Sequence, residues 1–171
     1  MDYLKINKNL WNTRVNSHVD SAFYQLAKWK NGRTSLTEIE LALLGDLRNK
    51  KVLHLQCHFG QDTLSLARMG ALPTGLDFSE KAIKKAQELT EELQLDATFI
   101  CGNVYDTRKL YEGFADIIFT SYGVIGWLPE LNTWAQNIAD CLKPGGRLVF
   151  VEFHPFIWTF DNAFSRIEYS Y

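Results

Sequence analysis

The sequence predicts an α/β fold: a doubly wound, mostly parallel sheet with helices on both faces. Three observations predict it. Short strands that are apolar almost without interruption recur five times between residues 52 and 152, as expected of strands buried on both faces. Helical stretches with apolar stripes alternate with them, the signature of βα units rather than hairpins. A length of 171 residues, 46% hydrophobic and 22% charged, suits one well-buried domain.

The elements follow in order. Trp11, Val15 and His18 stand at helical spacing, then Ala22, Phe23, Leu26, Ala27 and Trp29 up to Gly32, predicting two short helices; residues 36–44 predict a third, stopped by Gly45. The first strand is 52–55. Its loop ends at Gly60, a helix runs over 63–68 to Gly70, and the second strand covers 73–76. Ser79 caps a helix whose stripe is Ala82, Ile83, Ala86, Leu89 and Leu93. Strands at 98–101 and 116–120 follow, then a helix with Leu131, Trp134, Ala135, Ile138 and Leu142. Lys143-Pro144-Gly145-Gly146 breaks that helix before a fifth strand at 147–152. This reading divides the chain into N-terminal helices (1–45), a core (46–155) and an aromatic-rich tail (156–171) within a single domain.

In such a sheet the strand order reverses beside the first strand, and ligands bind at the carboxyl ends of strands one and four. The first strand runs into Gln56-Cys57-His58-Phe59-Gly60, and Asp77 ends the second, 17 residues after Gly60. A turn at a glycine lets backbone approach a ligand, and a carboxylate at a strand tip can accept from two ribose hydroxyls. Asn103, after the third strand, offers an amide to an adenine edge, or is simply a turn residue. An adenosine-bearing cofactor fits this pattern. Gly-x-Gly-x-x-Gly is absent, which argues against a nicotinamide dinucleotide. His54, Cys57 and His58 are ligand types, but strand alternation turns Cys57 from the two histidines, so no metal is expected.

Four blocks carry a family resemblance: residues 51–64, Thr74-Gly75-Leu76-Asp77-Phe78-Ser79, Phe119-Thr120-Ser121-Tyr122-Gly123, and Leu142-Lys143-Pro144-Gly145-Gly146-Arg147-Leu148. In this order and spacing the chain resembles the class I S-adenosylmethionine-dependent methyltransferases, which have a Rossmann-like fold. The His-Leu-Gln-Cys run of its first motif is similar to that of one subgroup. The resemblance implies S-adenosylmethionine as cofactor, with Gln56, Cys57 and Gly60 near its methionine part, Asp77 and Phe78 near ribose and adenine, and Asn103 and Val104 at the adenine edge. Ser121 and Tyr122 would face the transferable methyl. The N-terminal helices would form a lid, with Trp11, Arg14, His18 and Tyr24 toward the cofactor's polar end or the substrate. For Trp11 and His18 a packed helix face is the alternative. Where most members have an acid in the first strand and glycines in the loop, this chain has His54, Gln56 and His58.

Methyl transfer from a sulfonium needs positioning more than a base. If a base acts, His154 beyond the fifth strand is the candidate; its alternative is a structural histidine before Pro155. With a net charge of −2 and no Asn/Asp-Pro-Pro-aromatic motif after strand four, a small-molecule acceptor is expected and nucleic acid is not. The first ten residues contain neither a signal-peptide core nor a membrane span, and Cys57, Cys101 and Cys141 read as free thiols, so a cytoplasmic protein is expected. The sheet ends early, after its fifth strand, for this family. The aromatic tail should therefore pack back on the domain or on a second copy in a homodimer, and a binding module without catalysis is the alternative to an enzyme.

Overall fold

A computed structural model of the protein describes residues 2–161 and 163–171. The strands are β1 (Lys51–Leu55), β2 (Leu72–Asp77), β3 (Thr98–Cys101), β4 (Ala115–Ser121) and β5 (Leu142–Val151). They form one sheet in the order β3-β2-β1-β4-β5, and all four strand pairs are parallel. The order reverses between β1 and β4, so the crevice lies where the doubly wound reading puts it.

Alternation along β1 sorts its side chains. Val52 joins Leu44, Leu66, Phe119 and Val151 on one face, under α3 (Glu38–Leu44) and α4 (Gln61–Arg68). Leu53 and Leu55 join Leu76, Ile118, Trp134 and Ile138 on the other, under α7 (Leu131–Cys141). Helices thus cover both faces of a dry sheet. A third cluster, around Phe59, Leu64, Ile83, Ala86 and Phe99, seats α5 (Glu80–Leu93). Ser79 caps α5 by accepting from the Ala82 amide at 3.2 Å.

The N-terminal prediction changes in length. One 17-residue helix, α1 (Tyr3–Val19), begins at Asp2, whose carboxylate accepts from the Lys5 amide; the second, α2 (Leu26–Lys30), has five residues. Only Val15 of α1 is buried, so this helix carries little apolar periodicity. It docks by polar bonds instead: Lys8 and Asn12 reach Glu80, and Ser79 Oγ donates to Asn12 at 2.6 Å. α2 is held on α4 by Trp29, whose Nε1 donates to Ser65 Oγ at 2.8 Å while the Arg68 guanidinium lies over its ring.

Two further segments differ from the sequence reading. Residues 104–111, to which the sequence reading assigns no element, form a 3-10 turn (Val104–Asp106) and α6 (Thr107–Tyr111). β5 begins at Leu142 rather than Arg147, because Ala115 already pairs with Leu142; the Lys-Pro-Gly-Gly turn becomes an irregularity between Ala115 and Ile117. Lys143 pairs with Asp116 at 2.8 Å across it.

The tail does not pack back as a layer. Residues Pro155–Thr159 form a 3-10 turn and Phe160 bridges Ile167, so the segment folds on itself. Trp158, Phe164, Ile167, Tyr169 and Tyr171 stay exposed, and β5 is an edge strand of the sheet.

Gly75 in β2 supplies a test of the packing under the site. A Cβ there would sit 2.7 Å from the Phe99 ring and 2.8 Å from Cys57 Sγ, whereas at Gly126 it would meet nothing within 4 Å. Gly75→Ala is expected to lose roughly 1–3 kcal/mol in urea unfolding through overpacking, and Gly126→Ala to stay within about 0.5 kcal/mol of the parent.

Candidate functional site

The loop after β1 builds the floor of the site. Gln56, His58 and Gly60 have φ of 56°, 51° and 76°, so three of its five residues are left-handed. Two of them carry side chains, which costs roughly 1–2 kcal/mol each. Both side chains are tethered. Gln56 Nε2 donates to the Val124 carbonyl at 3.3 Å, and the His58 ring meets His18 of α1 at 3.0 Å. The glycine-like backbone path therefore survives without glycines. Gly60 itself answers to packing as well as to conformation: a Cβ there would lie 2.5 Å from the Phe99 ring.

Asp77 ties this loop to the second strand. Its carboxylate accepts from the His58 amide at 2.8 Å and the Ser79 amide at 2.9 Å. Burial pushes its pKa up to about 6, against the pull of those amides.

A cavity of about 400 Å³ opens over the carboxyl ends of β1 to β4. Gln56, Cys57, Gly60, Asp77, Phe78, Asn103, Val104, Ser121 and Tyr122 all line it. Their contributions differ. The Cys57 thiol is buried against Gly75 in the core, so this residue meets the cavity without offering a reactive thiolate; burial and the Asp77 charge push its pKa well up. Asn103 Oδ1 accepts from the Tyr105 amide at 3.1 Å, so it caps a turn while lining the cavity. Tyr122, with φ of 45°, bonds the Thr37 hydroxyl at 3.2 Å and stacks near Phe153.

His154 stands apart. It is exposed, lies outside the cavity lining, and its Nδ1 accepts from the Phe156 amide at 3.2 Å as a turn cap. The structural alternative describes its position. His54 is buried, bonded to Thr63 Oγ1 at 2.8 Å, and held neutral by burial that pushes its pKa down to about 3.

Several residues of the site had no signal in the sequence. Glu152 accepts from the amides of Gly123, Val124 and Phe153, fixing the turn after β4. Trp127 meets Trp11 edge to face and closes the mouth. Gln61 Nε2 holds the Tyr24 carbonyl at 2.8 Å. Three buried polar atoms on the cavity wall, Glu40 Oε1, Gln56 Oε1 and His58 Nδ1, have no hydrogen-bond partner among the described residues. Such atoms are uncommon in a folded interior and mark where a polar ligand would satisfy them.

Comparison with known proteins gives one matching family model, "Methyltransferase domain", over residues 52–146. A ubiquinone biosynthesis O-methyltransferase of Coxiella burnetii is 35% identical over 104 residues, 61% of this chain and 44% of that protein. A demethylmenaquinone methyltransferase of Lactococcus lactis is 32% identical over 126 residues, 71% of this chain and 49% of its own. The chain thus spans about half the length of the curated relatives it matches. Among solved structures, a Haemonchus contortus phosphoethanolamine N-methyltransferase in complex with phosphoethanolamine and S-adenosylhomocysteine superposes with a TM-score of 0.62 at 20% identity. That superposition covers 85% of this chain and 32% of that one.

The His18–His58 contact gives α1 an acid sensitivity. His18 Nδ1 lies 3.0 Å from His58 Nε2 and 3.3 Å from the Tyr24 hydroxyl, so the two neutral rings and the hydroxyl can share hydrogen bonds there. Burial pushes His58 down to about 3, and burial and Arg14 lower His18. Both folded values lie below the unfolded value of about 6.5, so this attachment is complete above that pH and weakens as pH falls. Hydrogen exchange corrected for intrinsic rates should show α1 opening more at pH 5 than at pH 7.5. In His58→Gly, which keeps the left-handed backbone, the pH effect on α1 should shrink to what His18 alone contributes; an undiminished effect would refute the role given to the pair.

Proposed function

Because the chain belongs to the methyltransferase domain family, we propose that it binds S-adenosylmethionine over β1 and β4 and transfers its methyl group to a small-molecule acceptor. One observation carries this reading: a single cavity at the reversal of strand order is lined both by the loop Gln56–Gly60 and by Asp77, Phe78, Asn103 and Val104. The wall fits the cofactor on its own chemistry. Asp77 retains lone pairs for ribose hydroxyls beside its two amide bonds. The unpartnered Gln56 and His58 atoms suit a ligand with several donors. A volume near 400 Å³ lies in the range of cofactor clefts. The bound S-adenosylhomocysteine of the Haemonchus enzyme supports the same choice.

Bound S-adenosylmethionine supplies an electrophilic methyl on a sulfonium. In this reading the chain's own work is to orient and to exclude water. Asp77 and Asn103 hold the adenosine, the left-handed loop sets the depth of the sulfur, and Ser121 and Tyr122 face the methyl. Trp11, Trp127, Tyr122 and Phe153 make an aromatic mouth that suits a small acceptor with apolar surface. No base is assigned, since His154 is outside the cavity. The quinone-biosynthesis relatives act on small molecules by name. The formal charge of −2 gives no field for nucleic acid.

The rest of the reading follows from composition and surface. α1 and α2 act as the lid over the core 46–155. A reducing cytoplasm suits the three free cysteines, and among the described residues no helix is long and apolar enough to cross a membrane. The exposed tail and β5 edge serve contact with a second copy. Light scattering should then give a mass above 19.7 kDa, and Trp158→Ser with Tyr171→Ser should return it to that of one chain.

Calorimetric titration tests the main claim. S-adenosylmethionine should bind, and Asp77→Asn, which keeps one acceptor oxygen for the loop, should weaken it about tenfold, or 1.4 kcal/mol. With the carboxyl pKa near 6, hydroxyl donors favour the ionised form, so parent affinity should fall as pH drops below about 6 and that of Asp77→Asn should fall less. No heat at millimolar ligand refutes the proposal. Product detection across small acceptors separates enzyme from binding module.

A further inference from the structure

Resting on that reading, we propose that Glu40 of α3 binds the α-ammonium of the cofactor's amino-acid end. Glu40 is 1% exposed and lines the cavity. One carboxylate oxygen, Oε2, accepts from the Thr37 amide at 2.6 Å and closes a capping box at the start of α3. The other, Oε1, is buried and has no hydrogen-bond partner among the described residues. Among the described residues no lysine, arginine or histidine forms an ion pair with it. A helix cap uses one oxygen of a glutamate; a buried second oxygen facing a cavity is an acceptor awaiting a donor.

The surroundings select a cationic donor. Asp62, at the start of α4, lines the same cavity, so two carboxyl groups share this wall. Burial pushes the Glu40 carboxyl up, Asp62 adds to that, and the Thr37 amide works against it. An ammonium would reverse both effects and supply hydrogen bonds. His54, the β1 residue on this wall, is neutral and contributes no charge of either sign. Arg33, exposed and bonded to Gln25 at 2.6 Å, borders the cavity as well and is a cation available to a carboxylate. An α-amino acid group presents both charges to such a pair.

The position along the sheet agrees. Thr37 links Glu40 to Tyr122, which follows β4, while Asp77 and Asn103 follow β2 and β3. With β1 between them, the two ends are separated by two strand spacings, about 10 Å. A ligand with its ribose at Asp77 and its amino-acid group at Glu40 spans the crevice from end to end.

Two comparisons by titration calorimetry test this. On the parent protein, S-adenosylhomocysteine is set against its desamino analogue, in which hydrogen replaces the amino group, and against 5′-methylthioadenosine, which lacks the whole amino-acid end. S-adenosylhomocysteine should bind at least about tenfold tighter than the desamino analogue, the gain of one charge-assisted bond. In Glu40→Gln, which retains an acceptor for Thr37, that advantage should shrink below about threefold, with 5′-methylthioadenosine unchanged. Equal affinity for the two homologues on the parent overturns the proposal and needs no variant. So does a preference that survives in Glu40→Gln, or an equal loss for 5′-methylthioadenosine. A parent protein that binds none of the three overturns the cofactor reading and this assignment with it, whereas tight binding without amino-group preference overturns this assignment alone.

Discussion

Two backbone amides, of His58 and Ser79, converge on the buried carboxylate of Asp77. Through them the first-strand loop, the tip of β2 and the start of α5 share one fixed point. The loop needs it. Left-handed residues with side chains relax toward ordinary conformations unless the surroundings hold them, and at His58 the hold is this amide bond below and the His18 contact above. The same carboxylate is the group assigned to the ribose, so the fixed point of the loop and the reference point of the ligand coincide.

From there the site grows outward in two directions. Toward β3, Asn103 caps a short turn and brings Val104 to the wall. Toward β4, Glu152 gathers the amides after Tyr122, and Tyr122 reaches Thr37 and so α3. α1 closes the top by polar anchors at Glu80, Ser79 and His58 rather than by an apolar face, whereas α2 is seated by the buried Trp29. Such attachment is weaker than core packing, as the proposed lid role requires.

The core was legible in the sequence for a physical reason. Strands such as 116–120 and the stripe of α5 carry periodicities that tertiary contacts reinforce, and β3 begins and ends where expected. The N-terminal helices were harder to read. α1 buries one residue, Val15, and the helical spacing of Trp11, Val15 and His18 announced only part of a helix held largely by polar bonds. The eight expected cofactor positions all reach the cavity, because strand ends and the switch in order dictate it. Their side-chain roles were less accessible: Cys57 points into the core and His154 caps a turn outside the cavity. Glu40 stands 37 residues before Asp77; only the packing of α3 on β5 makes it part of the wall, and a capping box alone carries no hint of that.

The substitution of Gln56 and His58 for glycines now has a structural account. Their backbone keeps the glycine path, and their side chains reach the turn after β4 and the lid. The central claim is that this crevice holds an adenosyl amino-acid cofactor, and amide resonances followed by NMR during titration with S-adenosylhomocysteine test it most directly. The account predicts shifts concentrated at residues 56–60, 77–79, 103–105 and 121–124. Shifts centred elsewhere, or none at saturating ligand, would contradict it.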